Sequence, residues 1–439
     1  MTFFSGFFLK IIRPTLLLCI LITGLSTIQG QDDENLEPTE DPAYANIRLF
    51  ANILQLIQQE YYDEKKTSYE DLIESALRGM LDELDPHSQF LDEEGFQVMR
   101  EETLSEFGGL GIQITIRNGT LVIVSPMEGS PSFKAGLLPN DEILKIDGIA
   151  TDSLTQAEAI DALRGKIGEQ ITLTIRHPET KEIEDYTITR DIVKVPSVRG
   201  VKLIDSTATG GFKIGYIRIT QFSEPTAKDF SKALDKLEKE GAQALVLDLR
   251  FNPGGLLTSA VDICGEFLPP GTQVVWTSGR RPSHPVSTPG NSKNRKIPLA
   301  ILINSSSASG SEIVSGALKD LQRALLIGET SFGKGSVQSV ISVDENSEKA
   351  IRLTTATYLT PGKQPIHGVG ISPHIKAPMT PHEEIRILSA RRAESLPENI
   401  RKDFSKIPPT DIPLDRAIDA LRGILLNQER KKTTSVHSN

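Results

Sequence analysis

Three short apolar runs in the second half of the chain limit its fold more than any other feature. They occupy residues 244–247, 299–303 and 324–327, and none of them alternates with polar residues. Runs of this kind are typical of strands that are buried on both faces, as in a parallel sheet covered by helices. Because the carboxyl ends of parallel strands meet at one edge of a sheet, we expect the loops after the three runs to lie together there.

The loop after the third run, GETSFGKGSVQ, nearly matches a nucleotide-binding loop. A P-loop needs a hydroxyl residue directly after its lysine and a helix that begins there. In this chain Gly335 follows Lys334, and the alternating, β-branched SVQSVISV predicts a strand. The sequence therefore argues against a phosphate site, and Lys334 is either a solvated residue in a glycine turn or a functional one.

The loop after the second run, NSSSASGSE, is rich in serine and ends where a helix is expected to begin. Ser309 and Glu312 form the pattern S-x-x-E of a capping box, which needs no catalysis. A nucleophilic hydroxyl would also benefit from the exposed N–H groups of a helix N-terminus. The structural and the catalytic interpretation of Ser309 require the same geometry.

A serine nucleophile needs a base at neutral pH. The histidines fall in polar turns, in the tail or in a late turn, and we interpret His87, which lies beside a proline turn, as structural. A buried lysine can serve instead, because desolvation disfavours its ammonium form. Lys334 has a glycine on each side, and Gln338 lies on the same face of an extended segment, where its amide could orient the amine.

The first half of the chain shows another pattern, with short strands from Glu106 onward. The stretch FGGLGIQI contains Gly109, Leu110, Gly111 and Ile112. Bare backbone N–H groups at such glycines can converge on an anion, and Leu110 and Ile112 would supply apolar surroundings. We therefore expect this stretch to bind the terminal carboxylate of a peptide.

Together with EGSPSFKAGLLPNDEILKIDG, this region resembles a PDZ domain of the bacterial type over residues 105–192. It departs from that pattern at Ser132, where alanine is usual, and at Asn140, where glycine is usual. Asparagine tolerates the left-handed conformation, so we expect the turn to be kept. A generic small β domain is the alternative.

The N-terminus indicates export. Lys10 and Arg13 precede an apolar run, which small, polar and then acidic residues follow. Residues 1–30 are therefore either a cleaved signal peptide or an uncleaved anchor in the inner membrane, and we expect a periplasmic or other extracytoplasmic location. Cys19 lies in this segment, which leaves Cys264 without a partner for a disulfide. The net charge of −10 argues against a nucleic-acid partner.

The remaining segments are expected to be an acidic linker over 31–45, a helical N-terminal module over 46–104 and a helical C-terminal region over 379–439. The last of these is expected to end in the disordered tail ERKKTTSVHSN. The connector DPHSQFLDEEGF belongs to the N-terminal module and does not look like part of an active site. The helices of this module are candidates for pairing two or more chains into a homo-oligomer.

Several motifs in a fixed order resemble the carboxyl-terminal processing (tail-specific) peptidases. They are DPHSQFL, FGGLGI, DLRFNPGG, SSASGSEIVSGALKD, GETSFGKGSVQ and TTATYLTPGKQPIHGVGISPHI. The resemblance implies an α/β fold, with a ClpP/crotonase-like protease core over 193–378 and the PDZ domain inserted ahead of it. It also implies that Ser309 is the nucleophile, that Lys334, 25 residues further on, is the base, and that Gln338 assists it.

The family's oxyanion hole falls on Gly254 or Gly255 and on Gly310, although NPGG alone would be an ordinary turn. The chain departs from the family pattern at Gly310, Phe251 and His374, and no catalytic side chain is lost. The resemblance implies an endopeptidase that takes proteins or peptides with free, apolar C-termini and needs no metal or cofactor. The competing hypothesis is a non-enzymatic PDZ adaptor on an inactive protease core.

Overall fold

The computed structural model describes residues 41–117, 119–127, 129–178, 180–280, 282–343, 348–394 and 410–436. The export segment expected over 1–30 and the linker as far as residue 40 lie outside the described residues. The chain divides into two compact units, Met1–Ile73 and Glu74–Asn439, and each is described by itself.

The helices of the described residues are α1 Pro42–Glu60, α2 Tyr69–Asp82, α3 Glu93–Leu104, α4 Pro131–Lys134, α5 Gln156–Leu163, α6 Ser206–Thr209, α7 Thr226–Lys239, α8 Leu257–Gly265, α9 Gly310–Asp320, α10 Pro381–Glu394 and α11 Ile412–Val436. The strands are β1 Gln89–Leu91, β2 Glu106–Gly109, β3 Ile112–Arg117, β4 Thr120–Pro126, β5 Glu142–Ile146, β6 Ile149–Ala150, β7 Gln170–Arg176, β8 Ile183–Thr189, β9 Asp191–Lys194, β10 Val198–Leu203, β11 Ile214–Ile219, β12 Ala244–Asp248, β13 Gln273–Gly279, β14 His284–Ser287, β15 Leu299–Ile303, β16 Leu325–Gly328, β17 Ser336–Ser342, β18 Ala350–Leu359 and β19 Ile375–Lys376.

In the first unit, α1 begins inside the expected linker. The Asp41 carboxylate accepts a hydrogen bond from the Ala43 N–H at 3.0 Å, and Pro42 occupies the first helical position. Both features favour a helix start there. None of the side chains of α1 is buried, although Leu49 and Ile53 are apolar. Across the described ranges, no helix has both the length and the apolarity that a membrane crossing requires.

A six-stranded sheet forms the centre of the second unit, in the order β10–β11–β12–β15–β16–β19. From β11 to β19 neighbouring strands are parallel, and β10 is antiparallel at one edge. The three apolar runs of the sequence are β12, β15 and β16, which are neighbours in this sheet. Their C-terminal loops therefore lie at one edge, as predicted.

Both faces of this sheet are covered, which explains why its strands do not alternate. Leu245 and Leu247 belong to a core that also contains side chains of α7, α8 and α9. Ala244 and Val246 point to the other face and pack with Ile418 and neighbouring residues of α11. The apolar residues of β12 and β15 are therefore all buried, because successive residues pack into opposite cores.

A second, antiparallel sheet carries the segment that follows Lys334. Its order is β1–β18–β13–β14, and β17 pairs with the other side of β18. The short β1, which belongs to the connector DPHSQFL, runs antiparallel to the start of β18, with Gln89 opposite Arg352. The expected helical module thus also supplies a strand to this second sheet.

The PDZ region forms its own sheet, in the order β3–β4–β5–β7–β8 with β6 on β5, and α5 packs beside the edge strand β3. Twelve buried apolar residues form its core. The chain enters and leaves through an antiparallel pair, β2 and β9, in which Gly109 lies opposite Asp191. The expected end at residue 192 therefore falls inside β9.

The expectation of a disordered C-terminal tail is wrong as far as Val436, because α11 continues through ERKKTT. Arginine, lysine and glutamate are good helix formers, so this run can extend a helix that packing has already started. Residues 437–439 lie outside the described residues.

Candidate active site

Ser309 lies between β15 and α9, at the edge where the three buried strands end. Its φ of 51° and ψ of −111° are rare for a residue with a side chain, so its backbone is strained. The Asn252 carbonyl accepts hydrogen bonds from the Ala308 N–H and from the Ser311 hydroxyl, both at 3.0 Å. The loop after β12 thus holds the loop after β15 on both sides of Ser309.

Glu312 has a larger role than the capping box that the sequence indicates. Its carboxylate accepts the Ser309 N–H at 2.8 Å, as a capping box requires. The carboxylate is completely buried, and it also accepts the Ser331 hydroxyl, the Gly333 N–H and the Lys334 N–H at 2.6, 2.6 and 2.9 Å. Ser309 and Lys334 donate to the same oxygen, Oε2. Their backbones are therefore held together by one buried side chain.

Lys334 lies half-buried at the end of that loop. Burial, assisted by the charge of Arg352, lowers the pKa of the Lys334 amine below its ordinary value. A side chain at Gly335 would come within 2.3 Å of the His367 backbone nitrogen, so glycine permits this close approach. The nearby Phe332 side chain is 64% exposed. The environment favours a neutral amine, as a general base requires.

Gln338 does not make the contact expected from its spacing. Its amide donates to the Ser336 hydroxyl at 2.8 Å and to the Thr354 hydroxyl at 3.3 Å, and it is not hydrogen-bonded to Lys334. An irregular register between Val337 and Gln338 interrupts the pairing with β18. Such irregularities increase the local twist, so a simple count of alternate residues does not predict which side chains meet.

The three candidate oxyanion glycines differ. The Gly254 N–H already donates to the Asn252 side-chain oxygen at 2.8 Å, so it would have to leave this acceptor to serve in an oxyanion hole. Gly254 instead permits close packing, because a Cβ there would lie 2.6 Å from the Cβ of Ser309. Within the described ranges, the N–H groups of Gly255 and Gly310 have no hydrogen-bond acceptor. These two remain as candidate donors.

Gly310 also explains one departure from the family pattern. A Cβ at Gly310 would lie 2.9 Å from a ring carbon of Phe222, and this ring is buried. The phenylalanine ring thus fills the space that the usual alanine side chain would need.

A buried ionic cluster lies directly before the NPGG loop. Asp248, at the end of β12, pairs with Arg250 at 2.7 Å and with Arg391 of α10, and Arg250 also pairs with Asp411 at 2.7 Å. Burial alone would raise the pKa of Asp248, but the charges of Arg250 and Arg391 hold it well below its usual range. Removing one partner from such a cluster leaves a buried charge uncompensated, which is strongly destabilising.

Helix α10 also contacts Phe251, the second departure from the family pattern. Phe251 has a φ of 61°, and the Arg391 guanidinium lies 5.4 Å from its ring centre. On the same helix, the Glu384 carboxylate accepts a hydrogen bond from the Asn304 side chain at 3.1 Å. Asn304 in turn accepts the Phe251 N–H at 2.9 Å. Sequence reasoning did not indicate that α10 contacts either loop.

The PDZ residues of FGGLGIQI are arranged around a fixed carbonyl. Gly111 has a φ of 70°, and its carbonyl accepts the Met127 N–H at 2.8 Å and the Ser132 hydroxyl at 3.0 Å. Ser132, a departure from the family pattern, thus stabilises this loop. The N–H groups of Leu110 and Gly111 lack a hydrogen-bond acceptor among the described residues.

The apolar surroundings differ from expectation at one position. Leu110 is only 2% exposed and belongs to the PDZ core, whereas Ile112 is half-buried on the edge strand β3. Gly109 pairs within β2.

Comparisons with known proteins agree with this architecture. The family model of peptidase family S41 matches residues 213–377, and that of the PDZ domain matches residues 108–187. The carboxy-terminal-processing protease of Bartonella bacilliformis is 42% identical over 346 residues, which cover 76% of each chain. The carboxy-terminal processing protease CtpA of Bacillus subtilis is 34% identical over 85% of this chain and 76% of its own.

Among solved structures, the photosystem II D1 C-terminal processing protease is 28% identical, and the match covers 75% of this chain and 92% of that one with a TM-score of 0.43. The identity to the two bacterial proteases extends over about three-quarters or more of each chain. This chain therefore belongs to the carboxy-terminal processing proteases of peptidase family S41, which are serine-type peptidases with a PDZ domain.

Proposed function

We propose that this chain is a serine endopeptidase that recognises the free C-terminal tails of exported proteins and cleaves them through an acyl-enzyme on Ser309, with Lys334 as the base. The observation that supports this proposal most strongly is the carboxylate of Glu312. It accepts the N–H groups of both residues, and it connects the loop after the second buried strand with the loop after the third.

The proposed chemistry uses groups from both of these loops. The neutral Lys334 amine takes the proton of the Ser309 hydroxyl as Oγ attacks the carbonyl carbon of the scissile peptide bond. The N–H groups of Gly255 and Gly310 stabilise the oxyanion that forms. The Lys334 ammonium then gives its proton to the leaving amine. Water, deprotonated by Lys334, hydrolyses the acyl-enzyme and restores the serine.

The PDZ domain would hold the substrate by its C-terminus. The N–H groups of Leu110 and Gly111 supply donors for a terminal carboxylate, and β3 is an edge strand to which an extended peptide can add. The Gln156 amide reaches the Ile114 carbonyl at 3.5 Å, so an added strand has only a weak contact to displace. Ile112 would favour an apolar last residue.

Intact-mass analysis of a protein with an apolar C-terminal tail tests this function. We expect the wild-type enzyme to produce defined tail fragments and the Ser309→Ala variant to produce none. The same tail with a C-terminal amide should bind Ser309→Ala more weakly, because amidation removes the charge that the N–H groups bind. Binding without any cleavage by the wild type would support the adaptor hypothesis instead. Equal binding of the acid and the amide would contradict tail recognition.

Export and assembly are also proposals. Residues 1–30 would direct the chain across the inner membrane, and they would either be removed or remain as an anchor. The exposed apolar side chains of α1 would then be covered by α1 of a second chain. Fractionation of cells and the mass of the purified protein, with and without residues 41–60, measure these two properties directly.

A further inference from the structure

The connector DPHSQFL, residues 85–91, contacts the strand that pairs with the segment after Lys334. At one end of β18, residues 350–352 pair with β1, and at the other end residues 356–359 pair with β13. Thr354 lies between these two pairings. Its N–H therefore has no strand partner on that side, and it donates to the Ser88 hydroxyl at 3.1 Å instead.

Asp85 completes this contact. Its carboxylate accepts the His87 and Ser88 N–H groups at 2.8 and 2.9 Å and the Ser88 hydroxyl at 2.8 Å. It also accepts the Thr354 hydroxyl at 3.2 Å, from a residue 269 positions later in the chain. Thr354 lies opposite Gln338, whose amide donates to the same hydroxyl. A hydrogen-bonded chain thus runs from Asp85 through Thr354 to Gln338.

Gln89 acts on another residue of β18. Its side-chain oxygen accepts a hydrogen bond from Arg352 Nη2 at 2.8 Å. Gln89 is neutral, so it fixes the guanidinium without neutralising it. Arg352 Nε is buried and has no partner within the described ranges. The charge of Arg352 is therefore available to act on Lys334.

We propose that the connector is a positioning element of the active site: Asp85 and Ser88 fix Thr354 opposite Gln338, and Gln89 fixes Arg352 within electrostatic reach of Lys334. This inference rests on the proposed role of Lys334 as the base.

The titratable and charged groups around Lys334 come from four elements. Arg352 lies on β18, Asp85 and His87 on the connector, His367 in the turn before Gly368, and Glu312 on α9. Burial is the largest cause that lowers the pKa of His87 below its ordinary value. Arg352 carries a permanent positive charge, which adds to the effect of burial in lowering the pKa of the Lys334 amine.

The pH dependence of tail cleavage by the full-length protein tests the inference. Activity should rise with pH as Lys334 loses its proton. Gln89→Glu places a carboxylate on Arg352, and Arg352→Gln removes the charge. Both should raise the pKa of Lys334 and move the rising limb to higher pH, by up to about one unit, with little change in the maximal rate. Because burial is the larger cause of the lowered Lys334 pKa, this pKa should still lie below its ordinary value in both variants.

Asp85→Asn should lower kcat by a few-fold, no more than Gln338→Ala does, with little change in KM, because it acts through Thr354 on Gln338 and leaves substrate binding intact. Asp92→Ala is the matched control. Asp92 caps α3 and pairs with Arg78 at 2.6 Å, in the same stretch of sequence but without contact to Thr354 or Gln338. It should cost stability and leave the pH profile unchanged. The rate at which an alkyl fluorophosphonate labels Ser309, followed by intact mass at several pH values, measures the rise of reactivity with pH independently.

If Gln89→Glu and Arg352→Gln are folded and their activity rises at the same pH as that of the wild type, the role of Gln89 is overturned. An Asp85→Asn kcat no lower than that of Asp92→Ala would overturn the role of Asp85. In either case Lys334→Ala remains inactive if the proposed function holds. Full activity of Lys334→Ala would instead overturn the proposed function itself.

Discussion

Ser309 and Lys334 lie next to strands of two different sheets, and these strands differ in how deeply they are buried. The strand before Ser309, β15, is buried at every position and lies between parallel neighbours. The strand after Lys334, β17, is buried only at its first residue and exposed at its last three. Among the described residues, β17 pairs with one strand, β18.

This difference implies different ways of fixing the two side chains. Ser309 is held by the core, because α9 packs on the central sheet and the Asn252 loop bonds both sides of it. Lys334 is held by contacts that reach it from other parts of the chain. Glu312 binds its backbone at one end, and the connector 85–91 holds Thr354 and Arg352 at the other. The serine side should therefore tolerate little change, whereas the lysine side should be adjustable.

The largest expected effect comes from removing either reacting group. Ser309→Ala and Lys334→Ala should each reduce tail cleavage by roughly 10⁴-fold or more, and the double variant should be little worse than either single one. Circular dichroism should show that each variant remains folded. The two variants should therefore lose activity to a similar extent. Appreciable turnover by Lys334→Ala would mean that another group acts as the base.

The second largest effect should come from Glu312, which contacts both the Ser309 loop and the Lys334 loop. Glu312→Gln replaces one carboxylate oxygen by an NH₂ group that faces N–H donors, and this should cost about 1–3 kcal/mol of stability. It should also lower kcat by about 100-fold, since a small displacement of reacting groups is enough for such a loss. Urea unfolding and steady-state kinetics on the same preparations measure both. Asp92→Ala serves as the control for a loss of stability alone. Unchanged kcat in folded Glu312→Gln would show that the two loops keep their places without this carboxylate.

The smallest effect should come from the lysine side alone. Gln338→Ala removes hydrogen bonds to Ser336 and Thr354 but no direct contact with Lys334, so kcat should fall by less than about tenfold. Steady-state kinetics across pH would check this result. A loss as large as that of Lys334→Ala would indicate that Gln338 reorients toward the amine when substrate binds, and the proposed difference between the two sides would then narrow.

Local patterns predicted the main elements well. The three apolar runs became neighbouring parallel strands, and the expected helical C-terminal region contains α11, whose Ile418 and Leu421 are buried against the central sheet. These predictions succeeded because burial on one or both faces leaves a periodicity in the sequence. The tail after Glu429 was mistaken for disorder because its composition is polar, although a polar run can continue an established helix.

Contacts between distant segments were not predictable in this way. The pattern S-x-x-E indicated a cap at Ser309 but gave no sign that the same carboxylate holds Lys334. The NPGG motif did not show that the Gly254 N–H is occupied by Asn252. The connector DPHSQFL was interpreted as part of a helical module, and its contacts with Thr354 and Arg352 were missed.

The sequence by itself determined the parallel sheet, the edge where its loops gather and the PDZ-like region, and it supplied the residue types of the proposed serine–lysine site. Each of these depends on short-range periodicity or on motifs within a few residues of each other. The tertiary structure decided how Glu312 joins the two loops, which glycine N–H groups remain free, and how the connector and α10 reach the site. These features depend on hydrogen bonds between residues far apart in the chain, whose directions are set only when the sheets and helices pack.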